Sequence, residues 1–129
     1  MAFNKLTVFI ADKTNQIINF YNQKIEKLVT NEVFVGDITI SGAKVKIAST
    51  FCKDRVDDVA AELLTTHQAD IAILVNSNNN EVQFRKRSKC KVNLGSLANK
   101  LCGGSGSTKI ASGKITESFL NFTKLLQKA

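Results

Sequence analysis

The chain has 129 residues, 43% of them apolar, with 18 Lys and Arg against 11 Asp and Glu and a formal charge of +7. That length suits one domain able to bury its own core, and no apolar run approaches the roughly 18–20 residues needed to span a membrane. Three cysteines, Cys52, Cys90 and Cys102, without C-x-x-C spacing argue against a disulfide framework and a zinc site, and for a reducing, cytoplasmic compartment.

The N-terminus, MAFNKLTVFIADK, lacks the charged region, long apolar stretch and cleavage site of a secretory signal. Residues 5–10 (KLTVFI) read as a short strand or the start of a helix. From about residue 12 to residue 30, Ile17, Ile18, Tyr21, Ile25, Leu28 and Val29 recur at spacings of three and four. That spacing predicts an amphipathic helix capped by Asp12 or Thr14. Residues 1–32 are therefore expected to be a helical segment ahead of an α/β core at 33–129. The β-rich stretches 33–35 and 38–40, the Ser41-Gly42 turn, and Val45, Ile47 and Ala48 predict a hairpin of modest length.

A second helix is expected over 55–66, with Val56, Val59, Ala60, Leu63 and Leu64 on one face and Asp54 as its cap. The unbroken apolar run in 69–76 (ADIAILVN) suits a strand covered on both faces. Residues 76–80 form a turn cluster, because asparagine tolerates left-handed backbone angles. In the next strand Val82, Phe84 and Lys86 alternate with Gln83, Arg85 and Arg87. Asn93 caps a short helix through Leu97 and Leu101; the glycine loop and residues 109–115 follow. Thr116 then caps a last helix whose Phe119, Phe122, Leu125 and Leu126 share a face. Alternating strands and helices imply an α/β fold, a single domain with a small mixed sheet flanked by helices.

The charge is concentrated. Between Val82 and Thr116 there is no carboxylate, yet Arg85, Arg87 and six lysines (Lys86, Lys89, Lys91, Lys100, Lys109 and Lys114) fall there, leaving ten cations against eleven acids elsewhere. Clustered positive charge concentrates anionic ligands, and small residues let backbone N–H groups approach an anion. A phosphate-bearing partner is the sharper reading. A solvated basic edge strand followed by a serine-glycine connector is the plainer one.

A search for catalytic groups yields little. His67, the single histidine, is expected to be a residue at a helix C-terminus interacting with the dipole. Asp57 and Asp58 need only a solvated or N-terminal helix role. Cys102 precedes the glycine loop among lysines but reads as a buried small residue. The loop GGSGST is not a P-loop, since it lacks G-x-x-x-x-G-K-[ST] and follows a helix.

Residues 69–115 resemble the C-terminal substrate-binding domain of the DHH phosphoesterases, a family that includes RecJ-like exonucleases and nano-RNases. The matching pieces are Ala69-Asp70, Arg87-Ser88, the helix through Leu101, Gly103-Gly104-Ser105-Gly106 and Ala111-Ser112-Gly113. YNQKIEKL and ITISGAKVKIAST are similar to the family's preceding segment, so the resemblance covers most of the chain. A related domain ends the alanyl-tRNA synthetases, where a similar loop serves nucleic-acid binding. The family's Gly-Gly-Gly-Gly-His departs here to Gly-Gly-Ser-Gly-Ser-Thr, with Ser107 or Thr108 where the imidazole is expected. The several metal-binding Asp and the Asp-His-His motif of the catalytic half have no counterpart, because the chain has one His.

The resemblance implies a non-catalytic domain that binds single-stranded nucleic acid, a short oligonucleotide or a nucleotide. Arg87 is expected to contact a phosphate bidentately, with Arg85 and Ser88 beside it. Gly103, Gly104 and Gly106 would offer backbone N–H groups, Ser105, Ser107 and Thr108 hydroxyls, and Lys109 a point charge. No cofactor is expected; manganese or magnesium would enter only with a catalytic domain supplied elsewhere. The alternatives are a structural or interaction subunit of a larger, RNA-containing assembly, or a fragment of an active oligonucleotide phosphoesterase. None of these readings involves a membrane.

Overall fold

A strand drawn from Ile71-Ala72-Ile73-Leu74-Val75 has no polar face, so it needs apolar cover on both sides. In the computed structural model, which describes residues 33–129, that segment forms β3 (Ile71–Asn76), and residues 71–75 are all buried. The strand and helix expected at 5–10 and 12–30, and with them the 1–32 segment, lie outside the described residues. The other strands are β1 (Phe34–Ile40), β2 (Ala43–Phe51), β4 (Glu81–Lys86), β5 (Ser105–Gly106), β6 (Ile110–Lys114) and β7 (Gln127–Lys128). They form one sheet in the order β5-β6-β4-β3-β2-β1-β7. β2 and β3 are parallel, and every other neighbouring pair is antiparallel. The α/β fold with a mixed sheet is as the sequence predicts.

A parallel pair cannot be joined by a tight turn, and α1 (Val56–Thr66) supplies the crossover from β2 to β3. Its Ala60 and Leu63 bury against Ala48, Ala72 and Leu74 on one face of the sheet. The opposite face carries Ile47, Ile71, Ile73, Val75, Val82 and Phe84. It is covered by α2 (Leu94–Cys102) and α3 (Glu117–Thr123), through Leu94, Leu97, Ala98 and Phe119. The alternation of apolar side chains in β3 thus feeds two cores. Among the described residues no helix is long and apolar enough to cross a membrane.

Local signals set most boundaries. The hairpin β1–β2 is longer than the sequence suggests, because Ser49 and Thr50 are buried and Ser49 Oγ donates to the Ile73 carbonyl (2.9 Å). Asn80 takes the left-handed angle expected of the asparagine turn (φ 58°), and Asn76 Oδ1 accepts from the Asn78 N–H (3.0 Å). Asn93 Oδ1 caps α2 by accepting from the Ser96 N–H (3.1 Å), and Thr116 Oγ1 caps α3 at the Phe119 N–H (3.1 Å).

Two expectations fail. Asp54 does not cap α1: Arg55 occupies that position at φ 56° with no side-chain cap bond, while the Asp54 carbonyl accepts from Cys52 Sγ (3.0 Å). The last helix stops at Thr123, and Leu125, expected on its buried face, is 58% exposed. The Leu125 and Leu126 N–H groups bond three residues back, to Phe122 and Thr123. That tighter winding rotates Leu125 outward while Leu126 stays buried.

Phe84 is fully buried on the central strand β4, between β3 and β6. Phe84→Ala is expected to destabilise the fold by about 3–5 kcal/mol. Urea unfolding checks this, and a midpoint unchanged from wild type contradicts the placement.

Candidate functional site

The start of β3, the end of β4 and the start of β6 lie at one end of the sheet, because Ile71 pairs with Lys86 and Arg85 with Ile110. The loop 87–93, the turn 107–109 and the N-terminus of α2 meet at this rim. Leu94 N–H donates to the Thr108 carbonyl (3.2 Å) and Gly95 N–H to the Ser107 carbonyl (2.9 Å). With Ser96 N–H on Asn93, the first-turn donors of α2 are all used inside the fold.

The structure separates the predicted site residues, with Ser105 and Gly106 forming β5 and the rest falling into three groups. Arg87, Ser88, Ser107, Thr108 and Lys109 gather at the rim, all exposed, together with Lys89 and Lys91. Gly103 and Gly104 stand at the other end of α2, nine residues away or about 13 Å along the axis. Arg85 turns away from the rim: its Nε donates to Asp57 Oδ1 (2.9 Å) and its Nη1 to the Phe84 carbonyl (3.0 Å). Asp57, in the first turn of α1 as one of its two expected roles has it, is therefore also paired, though 85% exposed, where such a pair adds under about 1 kcal/mol.

The glycines serve the fold. Gly103, at φ 59°, is the left-handed cap of α2. Its N–H donates to Asn99 O and that of Gly104 to Ala98 O, both at 3.1 Å. Backbone donors expected to face a phosphate are thus already bonded. Ser105 and Gly106 pair with Ser112 and Ala111 as β5 against β6. Ser107 N–H donates to Ile110 O (2.8 Å), and Ser107 Oγ accepts from the Lys109 and Ile110 N–H groups (3.2 and 3.1 Å). A Cβ on Gly104 would overlap the Ser112 carbonyl, and one on Gly113 would overlap Cys102.

Groups that the sequence did not single out shape the rim. Lys86 Nζ donates to the Cys90 and Val92 carbonyls (2.8 and 2.7 Å), which fixes the loop bearing Lys89 and Lys91. Asp70 Oδ1 forms an ion pair with Arg87 Nε (3.0 Å). An acid adjoining a fully apolar strand has to find a partner, and that was the available signal. His67, the C-cap of α1, is half-buried three residues before Asp70. Cys102 is buried as expected, and burial pushes its thiol from 9.0 up to about 12, leaving it protonated and non-nucleophilic at neutral pH. Among the described residues no three His, Cys, Asp or Glu gather where a metal could be held, so manganese or magnesium has no fitting ligand set there.

No protein-family model matches the chain, and no curated protein matches it. Solved structures do. An uncharacterized protein from Helicobacter pylori G27 is 15% identical with a TM-score of 0.50, over 85% of this chain and 28% of that one. An exopolyphosphatase-related protein from Bacteroides fragilis is 12% identical (TM-score 0.42, 61% of this chain, 29% of that one). A pGpG-specific phosphodiesterase from Vibrio cholerae is 12% identical (TM-score 0.43, 84% and 39%). The chain thus spans well under half the length of each structure. The Helicobacter likeness is one of fold alone.

Gly104→Val is expected to destabilise the domain by at least about 1–3 kcal/mol through overpacking. A melting temperature equal to wild type contradicts it. For Cys102 the folded pKa is raised, so its contribution is intact below about 9.0 and is lost as pH rises toward about 12. Cys102→Ala should flatten the fall in stability across that window; an unchanged pH profile contradicts the assignment.

Proposed function

We propose that this domain holds phosphate-bearing ligands, single-stranded nucleic acid or a nucleotide, without chemistry of its own, as the substrate-binding half of a DHH phosphoesterase does. The observation that carries the reading is the set Lys89, Lys91 and Lys109. All three are exposed at one rim beside the half-exposed Arg87, and none has a carboxylate partner among the described residues. Ser88 and Thr108 add hydroxyls within the same rim. The binding surface is therefore made of side chains rather than of the glycine backbone.

The chemistry of that rim favours phosphate over base. The described phenylalanines 34, 51, 84 and 119 are buried and Phe122 is half-buried, so the described surface offers no exposed ring on which a base can stack. Little base preference and strong salt dependence are the consequences. Hydrolysis requires a separate catalytic domain, and any metal enters with that domain; the chain's single histidine supports this division.

Binding of a short oligonucleotide should weaken linearly in log salt, with a slope of roughly −0.7 per phosphate contact. Replacing Lys89, Lys91 and Lys109 together by alanine should reduce the slope by roughly 2 and leave thermal stability near wild type. Binding that is independent of salt, or equal in the triple variant, leaves only a solvated basic rim.

A further inference from the structure

The outer edge of β1 is largely unused. β7 pairs with Phe34 and Val35 alone, so Gly36–Ile40 forms a margin of the sheet. The Ala129 N–H donates to the Val33 carbonyl (2.7 Å), which fixes the direction of the backbone groups along the strand. Odd-numbered residues turn toward β7 and even-numbered ones toward β2, because antiparallel ladders alternate. Beyond β7 the N–H and C=O groups of Asp37 and Thr39 therefore point out of the sheet, and among the described residues they have no partner. Edge strands are ordinarily blunted by lysine, proline, a bulge or a covering segment. Gly36–Ile40 reads GDITI, the chain has no proline, and the register to β2 runs one to one. Asp37 and Thr39 are exposed. Ile38 and Ile40 are half-buried on the face that α2 and α3 cover, and Leu125, against Gly36, is 58% exposed. The opposite margin of the sheet is the two-residue β5.

We propose that this edge is a self-association surface: two copies of the chain pair β1 with β1, antiparallel, about a two-fold axis at Ile38, joining their sheets into one. Asp37 of each copy then exchanges both of its outward backbone bonds with Thr39 of the other. The two Ile38 side chains meet at the axis, and Ile40 of each copy falls beside Gly36 and the exposed Leu125 of the other. A second copy is the occupant that the charges favour. Asp37 is the only ionised side chain in the segment, and it faces the neutral Thr39, behind which Lys44 stands in β2. Each acid thus lies between Lys46 of its own copy and Lys44 of the other, and no like charges stand directly opposite. A two-fold axis closes after one contact, which ends growth at a dimer. The basic rim, built on β4 and β6 toward the other margin of the sheet, takes no part. Gly36–Ile40 is a short contact beside the roughly 20–30 residues a side of a standard interface, so the association is weak and depends on concentration.

The test is sedimentation velocity of the full chain from micromolar to near-millimolar concentration, with thermal melts reporting the folding of each variant. Wild type is expected to shift from monomer toward dimer as concentration rises, with slower amide exchange at Asp37 and Thr39. Thr39→Pro removes an outward N–H that β2 does not use. It should weaken the dimer about ten- to thirty-fold, since each dimer loses two donors. Should that variant fail to fold, Thr39→Glu decides. It places an acid opposite Lys44 within its own copy but against Asp37 of the other, and should weaken the dimer about three- to thirty-fold. Adding Asp37→Lys to Thr39→Glu restores opposite charges across the axis and should recover the dimer, which separates self-pairing from pairing with a strand of another protein. A monomer at every concentration overturns the proposal, and so does unbounded growth into larger species. A dimer that a folded Thr39→Pro leaves unchanged, or that the charge exchange fails to recover, is held by another surface and overturns it equally.

Discussion

A strand without a polar face can exist only between two layers, and β3 imposes that condition on the whole domain. Its parallel partner β2 requires a long crossover, which becomes α1 and covers Ala72 and Leu74. Its antiparallel partner β4 continues into α2, which covers the other face with Ile71, Ile73 and Val75 beneath it. Once both covers are in place, the chain segments that enter β3 and leave β4 emerge at the same rim. Asp70 and Arg87 meet there as a consequence of strand order, and the basic loop that follows Arg87 projects from a rigid sheet.

The glycine loop follows a second constraint, the close approach of backbone to backbone. Gly104 lies against Ser112 and Gly113, and a Cβ on Gly95 would fall against the Gly106 carbonyl. These contacts let the β5–β6 hairpin lie along α2 with its turn closing the helix N-terminus. A glycine that admits a neighbouring strand and one that admits a phosphate have the same sequence signature. What separates them is the group standing opposite, and here that group is protein.

This explains how far the sequence could be read. Periodicity located α1, α2 and β4, because each buries a face whose spacing is written in Val, Leu and Phe, and an unbroken apolar run located β3. Asn93 and Thr116 announced their caps, since the side-chain acceptor and the orphan N–H are separated by only three residues. The ion pairs were not legible: Arg85 and Asp57 are 28 residues apart, and only the stacking of α1 against β4 brings them together. The two-residue strands β5 and β7 are too short for any alternation to show. The early end of α3 was missed because Leu125 and Leu126 both fit an extrapolated helical stripe, whereas the backbone had already tightened.

Charge that is contiguous in sequence is not contiguous on the surface. Of the eight cations between Val82 and Thr116, Arg85 is drawn along β4 toward Asp57, and Lys86 is fastened to two carbonyls. Lys114 stands opposite Glu81 at the far end of β6, and Lys100 lies in the last turn of α2, where it complements the helix dipole. What remains at the rim is half of the original set. Its arrangement depends on Lys86, whose ammonium gathers the carbonyls of Cys90 and Val92 inward and leaves Lys89 and Lys91 exposed on the outside of the same loop. A cation with no access to the ligand thereby determines where the accessible ones stand.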